Sequence, residues 1–405
     1  MKNEQLHIYL LTNDFPYGNS EPYLFDEMRC IQSFKENITL VPLNRSQAGD
    51  ISEKFQGFRI LNINTKDYNL AEIPFSARLF LLYVHFLDLI KAGKFSYFKS
   101  NFKNNYALLL RLYYAASKLS NDIKQMTGKC VVYSYWCDNL ALIGIFSKLK
   151  NKNIKVVSRA HGFDVFKEQT RHEYIPFRFF QIKHLDRLFS VSKSGAVRLT
   201  NENRKYKNKI AVARLGVADM GSNPHNPDKL NIATCSYIRN VKRLNVIADA
   251  LKDIKFDLTW HVIGTGPDSE KLKAQTRDLP DNVNVIFYGY LDNGQLNDFY
   301  RTQPVTALIS TSSSEGIPVS MMEATSFGIP VVSTDVGGCS EIVTEKTGIL
   351  ISKDNATAEL LSFLKNSLSS KLNTPDFRKG VKEFWNENFN AENNYGSFYK
   401  ALSEL

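Results

Sequence analysis

The alternation of apolar and polar positions is clearest between residues 305 and 338, VTALISTSSSEGIPVSMMEATSFGIPVVSTDVGG. Val305 to Ser310 is an apolar run rich in β-branched residues and reads as a buried strand, and Thr311 to Ser314 is a polar loop. Pro318 suits the first turn of a helix that Val319 to Phe327 continue, and Gly328 falls where a left-handed C-terminal cap belongs. Ile329 to Ser333 is a second buried strand leading into Gly337-Gly338. Such a strand-helix-strand unit pairs its strands in parallel through a right-handed crossover.

The same alternation runs through most of the chain. Strands are expected at Leu6 to Leu11, Ile38 to Leu43, Phe58 to Ile63, Val131 to Tyr135, Ile154 to Ala160, Arg187 to Ser192 and Ile210 to Leu215. A second series follows at Leu230 to Cys235, Leu258 to Ile263 and Val283 to Phe287, ahead of the two strands already described. Phe25 to Phe34 reads as a helix, and Ile73 to Met126 carries two long helical patterns dense in Phe, Tyr and Leu. Between the two series lies GVADMGSNPHNPDK, whose prolines and polar residues read as a linker. The expected organisation is therefore α/β, with parallel-sheet domains at 1–215 and 230–375, a linker at 216–229 and closing helices at 376–405. Phe384, Trp385, Phe389, Tyr395 and Phe398 in those helices need a surface to pack on.

Length and charge sharpen this picture. At 405 residues the chain has room for two cores. Its formal charge of +10 directs attention to acidic partners such as phosphates, anionic lipid or nucleic acid. Between Lys91 and Lys129 eight basic residues face one acid, Asp122. Interleaved with exposed aromatics they would suit an anionic membrane surface, and with buried aromatics they would be merely the solvated faces of a core. The five cysteines contain no CxxC pair, which points to reduced thiols and away from zinc or a disulfide framework. The N-terminal apolar stretch is too short for a signal peptide. Leu79 to Ile90, interrupted by His85 and Asp88, is shorter than the ~20 residues of a membrane span. The expected location is the cytoplasm, at the inner membrane face if the basic stretch meets lipid.

In an open parallel sheet, ligands bind beyond the carboxyl ends of the strands, and the residues whose types suit chemistry fall there. Gly18 follows the first strand and His161 the fifth. Arg239 and Lys242 follow Leu230 to Cys235, Gly264 and Gly266 follow Leu258 to Ile263, and Tyr290 follows Val283 to Phe287. Glu315 follows Val305 to Ser310, and Glu323 stands eight positions later inside the helix. A helix start offers free N–H groups and a positive dipole end to a phosphate, while carboxylates beside it accept bonds from sugar hydroxyls. One short element thus suits both halves of a sugar nucleotide. Plainer readings stand beside these. The two glutamates also suit solvated or capping positions, and GTGP also suits a turn. Arg239, Lys242 and Arg243 suit a solvated helix start, although cations there oppose the dipole and so hint at an anion. For Asp138 and Asp164 cap and catalyst both stay open. If the two sheets face each other with these ends, all these residues line one cleft.

From Leu230 to Val343 the segments CSYIRNVKRLNVIADAL, LTWHVIGTGPDSEKLK, VNVIFYGYLD and SEGIPVSMMEATSFGIPVVSTDVGGCSEIV, followed by TGILI, resemble the nucleotide-sugar-binding domain of the family-4 retaining glycosyltransferases. Glu315 and Glu323 fill that family's E-x7-E pattern. FPYGNSEPYLFDEM and SRAHGFDVF resemble its acceptor-binding domain more loosely, and the closing helices resemble the segment that crosses back onto that domain. The resemblance implies the GT-B fold, two Rossmann-like domains facing across a cleft. It also implies transfer of a sugar from a UDP- or GDP-sugar, with retained configuration, to a glycan or lipid-linked acceptor, as in bacterial surface polysaccharide synthesis.

By position, the resemblance assigns Glu323 to the ribose and Glu315 to the transferred sugar. It assigns the backbone of Gly316, Ile317 and Pro318 to sugar and diphosphate, Lys242 to the diphosphate, Tyr290 to the base, Gly18 to the loop under the phosphates and His161 to the sugar near the reacting carbon. The family's usual Arg before the lysine is replaced by Tyr237, with Arg239 the nearest substitute. No Asp-x-Asp occurs in the chain, so neither a metal nor another cofactor is expected, and cations with a helix dipole would take the metal's part. Rival readings are a sugar-nucleotide epimerase or a phosphorylase on the same fold, or a basic membrane or nucleic-acid binder. The last leaves the clustering at strand ends unexplained, so no nucleic-acid partner is expected.

Overall fold

The computed structural model describes residues 6–17, 21, 24–43, 57–65, 68–93, 95–170, 172–226 and 228–405. Gly18 lies outside them. The chain forms two units: residues up to Ala213 together with Tyr395–Leu405, and Arg214–Asn394.

The first unit is built on a parallel sheet of seven strands, β1 (Leu6–Thr12), β2 (Ile38–Pro42), β3 (Arg59–Ile60), β4 (Lys129–Ser134), β5 (Ile154–Ala160), β6 (Arg187–Ser190) and β7 (Ile210–Val212). Their spatial order is β3-β2-β1-β4-β5-β6-β7. Continuous burial of Ile8 to Leu11 and of Val131 to Tyr133 marks strands covered on both faces, which is why these runs read as unbroken hydrophobic stretches. The helices of this unit are α1 (Leu24–Cys30), α2 (Phe75–Ala92), α3 (Phe95–Ile123), α4 (Asn139–Lys150), α5 (Arg178–His184) and α6 (Lys193–Glu202). Gly93, at φ 63°, ends α2 with its N–H on the Leu89 carbonyl. The inner face of α2 buries Ala77, Leu81 and Val84, and that of α3 buries Leu109, Leu112, Ala116 and Leu119.

The second unit repeats the plan with six parallel strands, β8 (Leu230–Cys235), β9 (Leu258–Ile263), β10 (Val283–Gly289), β11 (Ala307–Ser310), β12 (Val331–Thr334) and β13 (Gly348–Ile351), in the order β10-β9-β8-β11-β12-β13. Its helices are α7 (Leu244–Leu251), α8 (Ser269–Thr276), α9 (Asn293–Thr302), α10 (Val319–Ser326), α11 (Ala356–Asn366) and α12 (Pro375–Asn388). Trp260, Ile232, Ile247 and Leu360 are fully buried in its separate core. Gly328 takes φ 75° just past α10, the left-handed geometry that a Cβ would oppose.

Two segments differ from a reading of the sequence as linker and closing helices. Stretch 216–229 is stitched onto the second unit: Asn223 donates from its backbone N–H to Phe327 (3.0 Å) and accepts at Oδ1 from Val305 (3.0 Å) and from buried Arg378 (2.7 Å). Helix α12 also stays with this unit, against α10. The last helix, α13 (Ala391–Ser403), is divided, and its part from Tyr395 onward belongs to the first unit. There Phe398 lies in the core, its ring 4.1 Å from the guanidinium of Arg159. Arg159 is fully buried and paired with Glu27 at 2.9 Å, and Tyr399 donates to the same carboxylate at 3.2 Å.

In each sheet the connection order reverses once, between β1 and β4 and between β8 and β11. Such a reversal, beyond the carboxyl ends of the two neighbouring strands, is the place where open parallel sheets take ligands.

Candidate functional site

At the reversal of the second unit stand the loops after β8 and β11. Asn240–Lys242 forms a single 3-10 turn, closed by Arg243 in the left-handed region at φ 51°. This turn is locked to the loop after β11: Ser313 N–H donates to the Val241 carbonyl (2.8 Å), and Thr311 Oγ1 donates to that of Arg243 (2.9 Å). The locking brings Lys242 Nζ to 2.6 Å from Glu315 Oε1, which also accepts from Ser312 Oγ at 2.6 Å. Among the described residues no hydrogen bond reaches Glu315 Oε2. A cation and a partly engaged carboxylate thus sit side by side, ready for a ligand that carries both negative charge and hydroxyls.

Helix α10 starts beside them. Its N-cap is Pro318, and no side chain caps it, so the first turn keeps N–H groups and the positive dipole end for an incoming anion. The approach to that start is set by glycines. Gly338 N–H donates to the Gly316 carbonyl at 2.8 Å, and a Cβ on Gly337 would lie 1.9 Å from the Glu315 carbonyl oxygen. Only residues without a side chain let these two loops lie this close together. Gly264 and Gly266 do the same across the neighbouring pair, where a Cβ would meet the carbonyls of Ser236 and Ile238 at 1.9 and 2.1 Å.

Glu323, inside α10, is near enough to Cys235 at the end of β8 to act on it. Burial first, and then the Glu323 charge, raises the Cys235 thiol pKa. Cys235, Ser236, Lys242, Ser312, Glu315 and Ser320 all border one small cavity. Arg239 does not join them; it lines a different depression, with Asn240, Arg243 and Asp268. Tyr290 stands past β10, 62% exposed, after Gly289 at φ 72°.

The first unit has its own polar centre at the corresponding reversal. His161 follows β5, buried, with its ring against Tyr135 (4.7 Å between centroids) and Trp136 (4.4 Å). Its Nδ1 lies 3.8 Å from Asp164 Oδ2, too long for a hydrogen bond, and neither ring nitrogen has a hydrogen-bond partner among the described residues. A buried imidazole left so costs stability unless a ligand or water completes it. Asp164 accepts from the backbone N–H groups of His161 and Cys137. Burial works against its ionisation, but His161, Arg178 and the Cys137 N–H outweigh it and hold the carboxyl below its ordinary pKa. Asp138 is a helix cap, its carboxylate accepting from Leu140 N–H at 2.9 Å.

Three residues of these centres were not singled out from the sequence. Glu21 gathers the loop after β1 by accepting from the N–H groups of Asn13, Asp14 and Phe15, and takes the Trp136 indole N–H at 2.7 Å. A lone acid in a turn-rich loop was its only signal. Arg178 donates to the carbonyls of Cys137 (2.8 Å) and Asp164 (2.5 Å). Ser312 was one of four polar loop residues, and nothing local set it apart.

The lipopolysaccharide 1,6-galactosyltransferase of Escherichia coli strain K12 is 33% identical over 123 residues, 29% of this chain and 34% of that protein. The O-antigen biosynthesis glycosyltransferase WbnH of Escherichia coli is 26% identical over 166 residues, 41% of this chain and 46% of that protein. The alignments thus span less than half of each relative's length. Among solved structures, the apo form of the lipopolysaccharide outer core galactosyltransferase WaaB superposes with a TM-score of 0.71 at 16% identity, covering 99% of this chain and 100% of its own. The two parallel-sheet units have the fold of the GT-B glycosyltransferases, and residues 218–374, which carry Lys242, Glu315 and Glu323, match the family model of the glycosyl transferases group 1.

Proposed function

We propose that this chain is a glycosyltransferase of bacterial surface polysaccharide synthesis. In this reading it moves a sugar from a UDP- or GDP-sugar to a glycan or lipid-linked acceptor, with retained configuration, in the manner of family 4 and without a metal. The observation that carries the proposal is the Lys242–Glu315 contact at 2.6 Å beside the uncapped start of α10, at the order reversal of the second sheet.

The chemistry follows from charge. As the bond between the anomeric carbon and the diphosphate oxygen breaks, negative charge grows on the leaving group. Lys242 and the N–H groups of α10 stabilise that charge more than they stabilise the bound donor, which lowers the barrier. Glu315 orients the sugar through its hydroxyls, aided by the backbone of Gly316, Ile317 and Pro318. Glu323 takes the ribose and Tyr290 the base. The acceptor hydroxyl oxygen bonds to the anomeric carbon on the face the diphosphate leaves, and its proton passes to the departing phosphate oxygen.

The test is a panel of UDP-, GDP- and ADP-sugars scored by thermal shift, because a ligand that binds only the folded state raises its stability. A UDP- or GDP-sugar should raise the melting temperature of the wild type. Lys242→Ala should slow turnover about a hundredfold or more while acceptor binding changes little. No shift with any nucleotide sugar would remove the basis of the proposal, and equal loss of turnover and acceptor binding would remove the role of Lys242.

A further inference from the structure

Helix α2 buries one face and leaves the opposite one bare. Phe75 (71% exposed), Leu79 (51%), Tyr83 (58%), Phe86 (51%) and Ile90 (66%) recur at intervals of four and three residues, so they fall on a single stripe along the outside of the helix. Phe102 of α3 extends it, its ring 6.4 Å from that of Phe86. Large apolar side chains gathered in this way on a monomer mark a surface that meets something apolar.

The charges around the stripe identify what that is. Between residues 75 and 121 the only acid is Asp88, and it is buried, accepting from Tyr174 and from the Phe177 N–H. Lys91 and Lys103, by contrast, are exposed, while Lys118 farther along α3 is paired with Glu72 at 3.0 Å. Two copies of such a face would bring cations against cations, whereas an anionic surface would be drawn to it. Among the described residues no helix is long and apolar enough to cross a membrane. An element of this kind lies in the plane of the interface, with its apolar side chains in the acyl boundary and its lysines at the head groups.

We propose that the outer face of α2, with the basic residues of α3 beside it, docks on an anionic lipid bilayer. The basic stretch Lys91 to Lys129 then supplies attraction, and the stripe that precedes it supplies insertion. The proposal does not depend on the sugar-transfer reading, because none of these residues lies near Lys242, Glu315 or His161 in sequence or in the sites described.

Flotation of the full chain with phosphatidylcholine vesicles, with and without phosphatidylglycerol, tests it. The wild type should float with the anionic vesicles and far less with the neutral ones. Leu79→Gln with Phe86→Gln, both at exposed positions, should weaken binding by at least about tenfold while leaving the melting temperature and any thermal shift by a nucleotide sugar unchanged. Lys91→Glu with Lys103→Glu should weaken binding to anionic vesicles and flatten its salt dependence. Undiminished flotation of the Leu79/Phe86 variant would overturn the proposal. So would a wild type that ignores anionic vesicles and sediments as a dimer which that variant dissociates, since the stripe would then join two copies of the chain.

Discussion

Asp138, for which cap and catalyst both stood open in the sequence, is a cap in the structure. It caps α4, and burial, the leading cause, pushes its carboxyl from 3.8 up to about 6. A carboxyl whose folded pKa is raised holds its proton more tightly in the folded state. Its contribution is therefore fully favourable below the unfolded value near 3.8 and is lost as pH rises through about 6. Asn caps a helix as well as Asp but carries no charge to bury. Asp138→Asn should therefore stabilise the protein by about 2 kcal/mol at pH 8 and change little at pH 3.5, measured by urea unfolding at each pH. At this scale the sequence showed which residues stand just past strand ends, Lys242, Glu315 and His161 among them. It was silent on Glu21, Ser312 and Arg178, whose partners are backbone groups that only folding brings near.

At the scale of elements, the unit β11–α10–β12 was read to within two residues at each end, because its period changes from buried strand to helix and its ends carry Pro318 and Gly328. What the pattern could not show is why two glycines follow it. Gly337 has φ 56°, and a Cβ there would lie 1.9 Å from the Glu315 carbonyl oxygen, so its loop and the one bearing Glu315 are a single construction. Gly337→Ala should cost about 2 kcal/mol or more in stability and weaken the thermal shift by a nucleotide sugar. A melting curve with and without that ligand checks both. Strand β13 escaped the sequence reading for the opposite reason. Four residues beginning with Gly348 carry too little periodicity to announce a strand, and pairing with β12 defines it.

At the scale of the whole molecule, each unit has its own core, and the first closes only with the chain's last residues. The Arg159–Glu27 pair is fully buried, with Phe398 and Tyr395 against the guanidinium and Tyr399 on the carboxylate. Removing one partner of such a pair strands the other's charge, while replacing both with apolar residues removes the desolvation cost. Arg159→Leu should therefore destabilise the first unit by about 3–5 kcal/mol, and adding Glu27→Leu should recover most of that loss. Urea unfolding of the two variants decides the matter. The closing aromatics were legible as anchors in need of a surface, but not as belonging to two different units.

The sequence by itself determined the strands and helices, the presence of two parallel-sheet units and the set of polar residues waiting at strand ends. Those follow from local periodicity and from the few residues that start, stop or turn a chain. The tertiary structure alone decided which of them meet. It placed Lys242 on Glu315 and left Arg239 apart, made Asp138 a cap, buried Arg159 under the final helix and turned the apolar side of α2 outward. Each of these depends on contacts between residues tens to hundreds of positions apart, and periodicity along the chain carries no information about such distances.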